Sequence, residues 1–509
     1  SNKCYMKKLL SIIGLFILFC STSCNKDLTI APLSIGTTET FYLTHEDFIQ
    51  GVNAVYNSLR TYPDRLINLS ETRSDNLYAA SVLGVQPYDA IRSFRRNATS
   101  NVYIETAWND NFNAIFRANN FLEQVDLKGS VINSDAMRER LKAEARFLRA
   151  FFYFDLVRYY GKLPLVTKPV TANEAVAIPR SPVDDVYKQI IADLEFAAAT
   201  LPPSYTGNDV GRATRYAAQG LLAMVYMARS GPTYSIEGPG LNTNEWTQAL
   251  GLLNQVISSN AFTFNPSYTN VFAYANQNPS VNKEAVFSIM HVSGLNPILG
   301  ASFVSLTVPD AYFTTVLQKP AQLGGAGRPC PRDLESSYEA TDIRPKFNFI
   351  PYYTQLGIPG VRPYLRKYLD STKVPVNIRD WGINFMAIRY TDLLLLKAEC
   401  ILKGATGGTQ AEVNTIVNMV RQRAGVGALT TDVTLEQLYG ERRRELVGEG
   451  SRWFDLQRSG KLIETMNAWI AANDDLKQIE PVVADLILYP VPQSQLDAQP
   501  GLYTQNPGY

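Results

Sequence analysis

Two histidines and an excess of aromatic rings set the chemistry open to this 509-residue chain. His45 and His291 stand far apart, and neither belongs to an H-E-x-x-H pair of the kind that holds zinc. No paired C-x-x-C and no G-x-S-x-G occurs. The run G-G-A-G at Gly324–Gly327 lacks the Lys-Ser/Thr of a phosphate loop and reads as a flexible turn. Metal, thiol and serine-triad chemistry therefore have no support, and no cofactor or metal-ligand set is expected. A pair of carboxylates acting on a sugar stays open. Acids number 47, and spacing along the chain does not reveal spacing in space. What stands out is 28 Tyr, 23 Phe and 5 Trp. Most must be core, but a tyrosine in a loop offers a ligand a flat apolar face and a polar tip.

A second chemical signal lies near the start. Met6, Lys7 and Lys8 precede the uncharged run LLSIIGLFILFC, then Ser21, Thr22, Ser23 and Cys24. A basic head, an apolar core and small residues make a secretory signal. The apolar run is about a dozen residues, short of the roughly 20 needed to span a bilayer. A cysteine after three small residues reads as a bacterial lipobox, with cleavage before Cys24 and lipid on Cys24. Ser21 stands where a leucine is usual, and Cys20 is disfavoured by the bulky Phe19 before it. The alternative is an ordinary secretory signal with a coincidental cysteine. Several acyl chains would anchor the protein firmly to a membrane surface.

Charge is balanced, 48 basic against 47 acidic residues, with no polybasic tract, so nucleic acid is not an expected partner. Past the signal only Cys24, Cys330 and Cys400 remain. Cys400, in LLLLKAECILK, reads as a buried thiol. Cys330 lies in a Gly/Pro loop, and pairing of the two is left open.

The elements that must position these residues are mostly helices. Residues 25–45 read as a tether. Phe48, Val52, Val55, Tyr56 and Leu59 recur at helical spacing, and Thr44 with Asp47 resembles a capping box. Residues 61–103 break the pattern and carry Tyr78, Tyr88, Phe94 and Tyr103. Helices are predicted at Glu105–Val125, Ala136–Tyr160, Val183–Ala199, Ala213–Arg229 and Trp246–Ser258. Helix–turn–helix pairs of this size point to tetratricopeptide-like packing with a degenerate repeat. Residues 261–384 lose helical spacing and are rich in Pro, Gly, Asn, Tyr and Phe. This is an irregular lobe with short strands, of which VNKEAVFSIMHV and KFNFIPYY are candidates. Helices resume at Phe385. Capping boxes at Thr409/Glu412 and Thr434/Gln437 open two of them. The fold class is mainly α, a tetratricopeptide-like scaffold with an inserted loop-rich lobe.

Four stretches now carry a family resemblance. They are CNKDLTIAP with FIQGVNAVYNSL; WNDNFNAIFRANNFLE, Trp108 to Glu123; EARFLRAFFYFDLVRYYGKLPLV, Glu144 to Val166; and a C-terminal set. That set is IRYTDLLLLKAE from Ile388, VRQRAGV from Val420 and ERRRELVGEGSRWFDLQRSG from Glu441. Together they resemble the SusD/RagB family of Bacteroidota surface lipoproteins, in order along nearly the whole mature chain. The acidic export signal often found after the cysteine is reduced here to Asn25-Lys26-Asp27. The motifs themselves read as structural. Trp453, Phe454 and Leu456 wedge between helices, and Arg442, Arg443 and Glu445 pair within the bundle.

The resemblance implies a division into signal peptide 1–23, lipidated tether 24–45 and one SusD-like domain 46–509. Within it the scaffold spans about 46–60, 104–260 and 385–472, and the ligand lobe about 261–384. It implies a non-catalytic outer-membrane lipoprotein facing the exterior. Such a protein captures a nutrient oligomer, an oligosaccharide first, and delivers it to a SusC-like TonB-dependent transporter. The alternatives are a peptide-capturing lid of the RagB type and a helical-barrel glycoside hydrolase. The ligand site is expected where residues 61–103 meet residues 262–384. The expected rings are Tyr78 and Tyr88 from the early loop, and Tyr338, Tyr364 and Trp381 from the lobe.

Overall fold

The computed structural model describes residues 41–79, 85–322, 324–355, 358–360 and 362–509. The signal, most of the tether and Cys24 lie outside the described residues. The first helix, α1 (His45–Asn57), begins at the expected capping box. The Thr44 hydroxyl accepts the Asp47 amide at 3.2 Å, and the Asp47 carboxylate accepts the Thr44 amide at 2.8 Å. Two long helices follow, α2 (Val102–Lys128), capped by Asn101, and α3 (Asp135–Tyr160), capped by Ser134 and ended by Gly161 at φ +69°. Then come α4 (Val183–Thr200), α5 (Arg215–Ser230) and α6 (Trp246–Ser258). Each packs on the next, α2 on α3 through to α5 on α6, as in a tetratricopeptide stack.

The lobe leaves this stack through a two-stranded neck. Strand β1 (Ala285–Ile289) pairs antiparallel with β2 (Phe385–Arg389), Ile289 opposite Phe385. The β1 ring Phe287 lies edge-on to Phe147 and Phe151 of α3, which seats the neck on the scaffold. The chain then returns to helices: α7 (Tyr390–Leu402), α8 (Gln410–Arg423), α9 (Leu435–Leu446), α10 (Arg452–Ser459) and α11 (Leu462–Asn473). Both predicted capping boxes are present, at Thr409/Glu412 and Thr434/Gln437.

Three expectations need correction. The helix predicted from Phe385 begins at Tyr390, because Phe385–Arg389 spends its alternation on pairing with β1. The candidate strand KFNFIPYY is a helical turn at Arg344–Asn348, then a single bridge from Phe349 to Leu365. And helical backbone does not stop near residue 60. Turns at Ser58–Thr61, Tyr62–Leu66 and Ile67–Glu71 carry it on to Glu71. Periodicity missed this because from Arg65 on the segment is buried on all sides, with polar residues inward among Leu66, Ile67 and Leu69. Arg65 pairs with Asp155 at 3.0 Å, and Glu71 accepts the amides of Gly448 and Gly450 at 2.9 and 2.8 Å.

Beneath the lobe runs a buried ionic seam. Glu445 of α9 meets Arg423 of α8 at 2.6 Å, Arg389 of the neck at 3.1 Å and Arg344 of the lobe at 3.1 Å. Glu284 of the loop before β1 takes Arg423 at 2.7 Å, and Glu449 holds both Arg389 and the lobe's Lys367. Burial by itself would raise the Glu445 carboxyl, but the guanidiniums of Arg423, Arg389 and Arg344 outweigh it and hold it at about 2. Arg442 pairs with Asp455 and Asp392 inside the bundle. Arg443 reaches out of it, to Asp75 and to Asp333 of the lobe. Trp453, Phe454 and Leu456 are buried between helices as expected.

Candidate functional site

The early segment and the lobe meet through backbone first. The Tyr78 amide donates to the Pro329 carbonyl at 2.7 Å, and the Tyr88 hydroxyl to the Gly327 carbonyl at 3.3 Å. Gly327 is a position only glycine fits. Its φ is +74°, and a Cβ would stand 2.8 Å from both Pro309 and the Tyr364 ring. Between these two contacts Arg328 enters from the lobe. It donates to Thr72 Oγ1 at 2.9 Å and Asn68 Oδ1 at 2.7 Å, and its guanidinium lies 4.6 Å from the Tyr88 ring and 5.6 Å from Tyr103. Among the described residues no carboxylate comes within salt-bridge distance of it. Burial lowers its pKa from the ordinary arginine value.

The junction has an inner and an outer part. Tyr78 is buried, its hydroxyl donating to Asp474 Oδ1 at 2.8 Å and accepting the Leu476 amide at 3.1 Å. Burial, supported by the Asp474 carboxylate, pushes its pKa to about 12. Arg362 covers the Tyr78 ring at 4.2 Å and pairs with exposed Asp475. Tyr364 is half-buried, its backbone bridging Pro329 and its carbonyl accepting the Ile350 amide. Tyr353 is also half-buried and lies 5.5 Å, edge-on, from the buried Tyr312 ring. Tyr352 is 51 % exposed, with its hydroxyl donating to Glu335.

The five expected rings are not one surface. Tyr78 and Tyr88 are at the junction and buried, while Tyr364 is at its open side. Tyr338 belongs to a small apolar cluster with Leu77, Cys330 and Phe349, its hydroxyl donating to the Arg444 carbonyl at 2.9 Å. Trp381 is fully buried against Phe313, in backbone pairing with Ala301. Sequence reasoning passed over Tyr352, Tyr353, Arg328 and Arg362. Two adjacent tyrosines after Pro351, inside an irregular stretch, were the available signal for the first pair.

On its open side the arrangement presents half-open ring faces, the Arg362 guanidinium and the exposed Tyr352 ring with its hydroxyl. Among the described residues no group of three His, Cys, Asp or Glu is placed to hold a metal ion. Cys330 and Cys400 are buried free thiols in different apolar clusters, so they do not pair.

Comparison with known proteins places this geometry in context. A sequence model described as "SusD family" matches residues 359–509, and one described as "Starch-binding associating with outer membrane" matches residues 42–227. "SusD-like protein P25" of Formosa agariphila is 25% identical, covering 89% of this chain and 90% of that protein. A SusD-like protein of Bacteroides ovatus is also 25% identical, over 89% of this chain and 82% of its own length. Surface glycan-binding protein A from Bacteroides uniformis superposes with a TM-score of 0.74 at 24% identity, covering 92% of this chain and 100% of that one. Its counterpart from Bacteroides thetaiotaomicron, solved in complex with laminarihexaose, gives 0.74 at 22% identity over the same shares.

Proposed function

This chain belongs to the SusD/RagB family, and from that premise we propose that it captures a neutral oligosaccharide at the outer membrane without breaking it. The observation that carries the reading is that membership, matched independently at both ends of the chain. The laminarihexaose complex of the B. thetaiotaomicron protein, which shares the fold, supports a sugar over a peptide. The ligand face is the outer junction. Tyr353 and Tyr364 supply half-open rings there, Tyr352 an exposed one, and Arg362, two residues before Tyr364, a guanidinium over Tyr78. Tyr78 and Tyr88 back that face from inside. Tyr338 and Trp381 hold the lobe's shape beneath it.

The lid role follows from the same premise. The protein would be anchored by lipid on Cys24, face the exterior and pass its ligand to a SusC-like TonB-dependent transporter. A lasting lid–barrel contact would bury well over about 1,000 Å². Mild-detergent pull-down from native membranes should recover the transporter, and recovery of the lipoprotein alone contradicts the lid role. Mass spectrometry should find the lipid on Cys24, and an unmodified mature protein contradicts the anchor. Calorimetric titration with a panel of neutral hexasaccharides, laminarihexaose included, tests capture. Saturable heat with no new reducing ends is expected, and release of reducing ends would assign a hydrolase instead.

A further inference from the structure

A second surface on the molecule has the chemistry of a sugar site, and it shares no residue with the junction. It is a groove of about 440 Å³ along α2, walled by the uncharged residues Pro164, Val166, Val170 to Ala172, Ala175 and Val176 and by the C-terminal segment from Gln495 to Tyr503. That volume falls within the range of about 300–1,000 Å³ typical of small-molecule sites. An interior cavity behind the neck has only about 90 Å³.

The floor is an aromatic stripe. Trp108, Phe112 and Phe116 recur every four residues on one face of α2, over about 12 Å of helix. They are graded outward: Trp108 is buried, Phe112 half-buried and Phe116 50 % exposed. Tyr503 closes over the inner end, its ring 6.5 Å from Trp108. Amides line the edge. Asn109 and Asn113 sit one residue round the helix from Trp108 and Phe112, and Gln495 and Gln499 face them from the C-terminal segment. Gln495 donates to Asn109 at 3.4 Å, while among the described residues the side chains of Asn113 and Gln499 have no protein hydrogen-bond partner.

The lining contains no Asp, Glu, Lys or Arg. In a chain with 95 such residues (48 and 47), a groove of this size without one selects against charged ligands and against the termini of peptides. Aromatic faces with amide donors and acceptors, and no charge, suit a neutral polyhydroxylated chain. The apolar ring face stacks, and the hydroxyls at its rim bond to amides. A purely apolar occupant would leave Asn113 and Gln499 without partners.

We propose that this groove is a second binding site for a neutral oligosaccharide, separate from the junction face. It shares the ligand class of the proposed function but not its residues, so the two can fail separately. Calorimetric stoichiometry with the neutral hexasaccharide panel tests it on three forms. These are the wild type, a groove variant (Asn113→Ala with Phe116→Ala) and a face variant (Tyr353→Ala with Tyr364→Ala). Asn113 is exposed and Phe116 half-exposed, so the groove variant should keep the wild-type melting temperature. The expected result is two equivalents for the wild type and one for each variant. If residual groove binding persists, its Kd should be weakened at least about tenfold. A groove variant that binds all of the wild-type equivalents with unchanged Kd overturns the proposal. So does a face variant that binds nothing, while leaving the junction reading intact. Loss of all binding only in the groove variant supports the groove and removes the junction. A wild type that binds no member of the panel overturns both.

Discussion

The seam under the lobe and the face on its outside both use arginine, and they use it in opposite ways. In the seam Arg344, Arg389 and Arg423 each meet carboxylates inside 3.5 Å, and every partner is sealed from water. Inside the junction Arg328 is buried as well, but it stacks on tyrosines and donates to Thr72 and Asn68, with no carboxylate within salt-bridge distance among the described residues. Arg362 covers Tyr78 and has only exposed Asp475. Charges closed on one another fix a structure, whereas half-open rings, and a guanidinium such as that of Arg362 with only an exposed carboxylate beside it, can still take a partner. The comparison teaches that the chain's most recognisable residues, such as Glu445 in ERRRE, hold the lobe to its scaffold. The surface that lobe presents is built from less regular sequence.

The largest effect should come from breaking the seam. Glu445→Ala leaves three buried guanidiniums short of a partner and should cost about 3–5 kcal/mol in chemical denaturation. Trp381→Ala, a fully buried ring beneath the face, should cost a similar 3–5 kcal/mol. A loss under about 1 kcal/mol for either would show that the seam and its overlying core do not lock the lobe.

Acid should act on the seam in a defined direction. Glu445 and Asp75 are held at about 2, below their ordinary values of 4.5 and 3.8. For Asp75 the desolvation cost is outweighed by Arg443 and Arg452. Folded pKa values that are depressed contribute stability above the unfolded values, and that contribution is lost as pH falls from about 5 towards 2. Unfolding free energy should therefore drop by roughly 5 kcal/mol across that window, and by only about 2 kcal/mol in Glu445→Gln. Equal pH slopes for wild type and Glu445→Gln would mean that this carboxylate does not carry the effect.

On the open side the sign reverses from stability to binding. Tyr353→Ala and Tyr364→Ala should each weaken oligosaccharide binding by no more than about tenfold, with small changes in melting temperature. If either acts mainly on stability, its ring belongs with Trp381 rather than with the face.

The smallest effect concerns Asp64, which joins the Tyr62–Leu66 turn to the lobe by accepting the Ser302 hydroxyl. Burial, only partly offset by Ser302 and Arg65, raises its carboxyl to about 6. A raised carboxyl contributes stability below the unfolded value that is lost as pH rises through about 6. Asp64→Asn should therefore stabilise the protein more at pH 8 than at pH 4. A gain that is the same at both pH values would contradict the titration.

Much of the scaffold was legible because its helices advertise themselves twice. Apolar spacing marks α1 to α6, and capping pairs such as Thr409/Glu412 mark starts. The stretch from Ser58 to Glu71 was not legible. From Arg65 on it is buried on every side, Leu66, Ile67 and Leu69 together with Arg65, Asn68, Ser70 and Glu71, so no single apolar face recurs, and the polar residues' partners arrive from residues up to 380 positions away. The meeting of the early segment with the lobe was anticipated, but which rings face outward was not. Tyr338, Tyr364 and Trp381 are the same kind of residue in the same kind of loop. Only the fold decides that Trp381 lies under Phe313 while Tyr364 stands at an edge.

The most direct test is one calorimetric comparison, wild type against the Tyr353→Ala/Tyr364→Ala double variant, each titrated with laminarihexaose and the other neutral hexasaccharides. The account predicts saturable binding by the wild type to at least one sugar, weakened at least about tenfold at the junction in the double variant with its melting temperature retained. No heat from any sugar, or wild-type affinity and stoichiometry in the double variant, would contradict it.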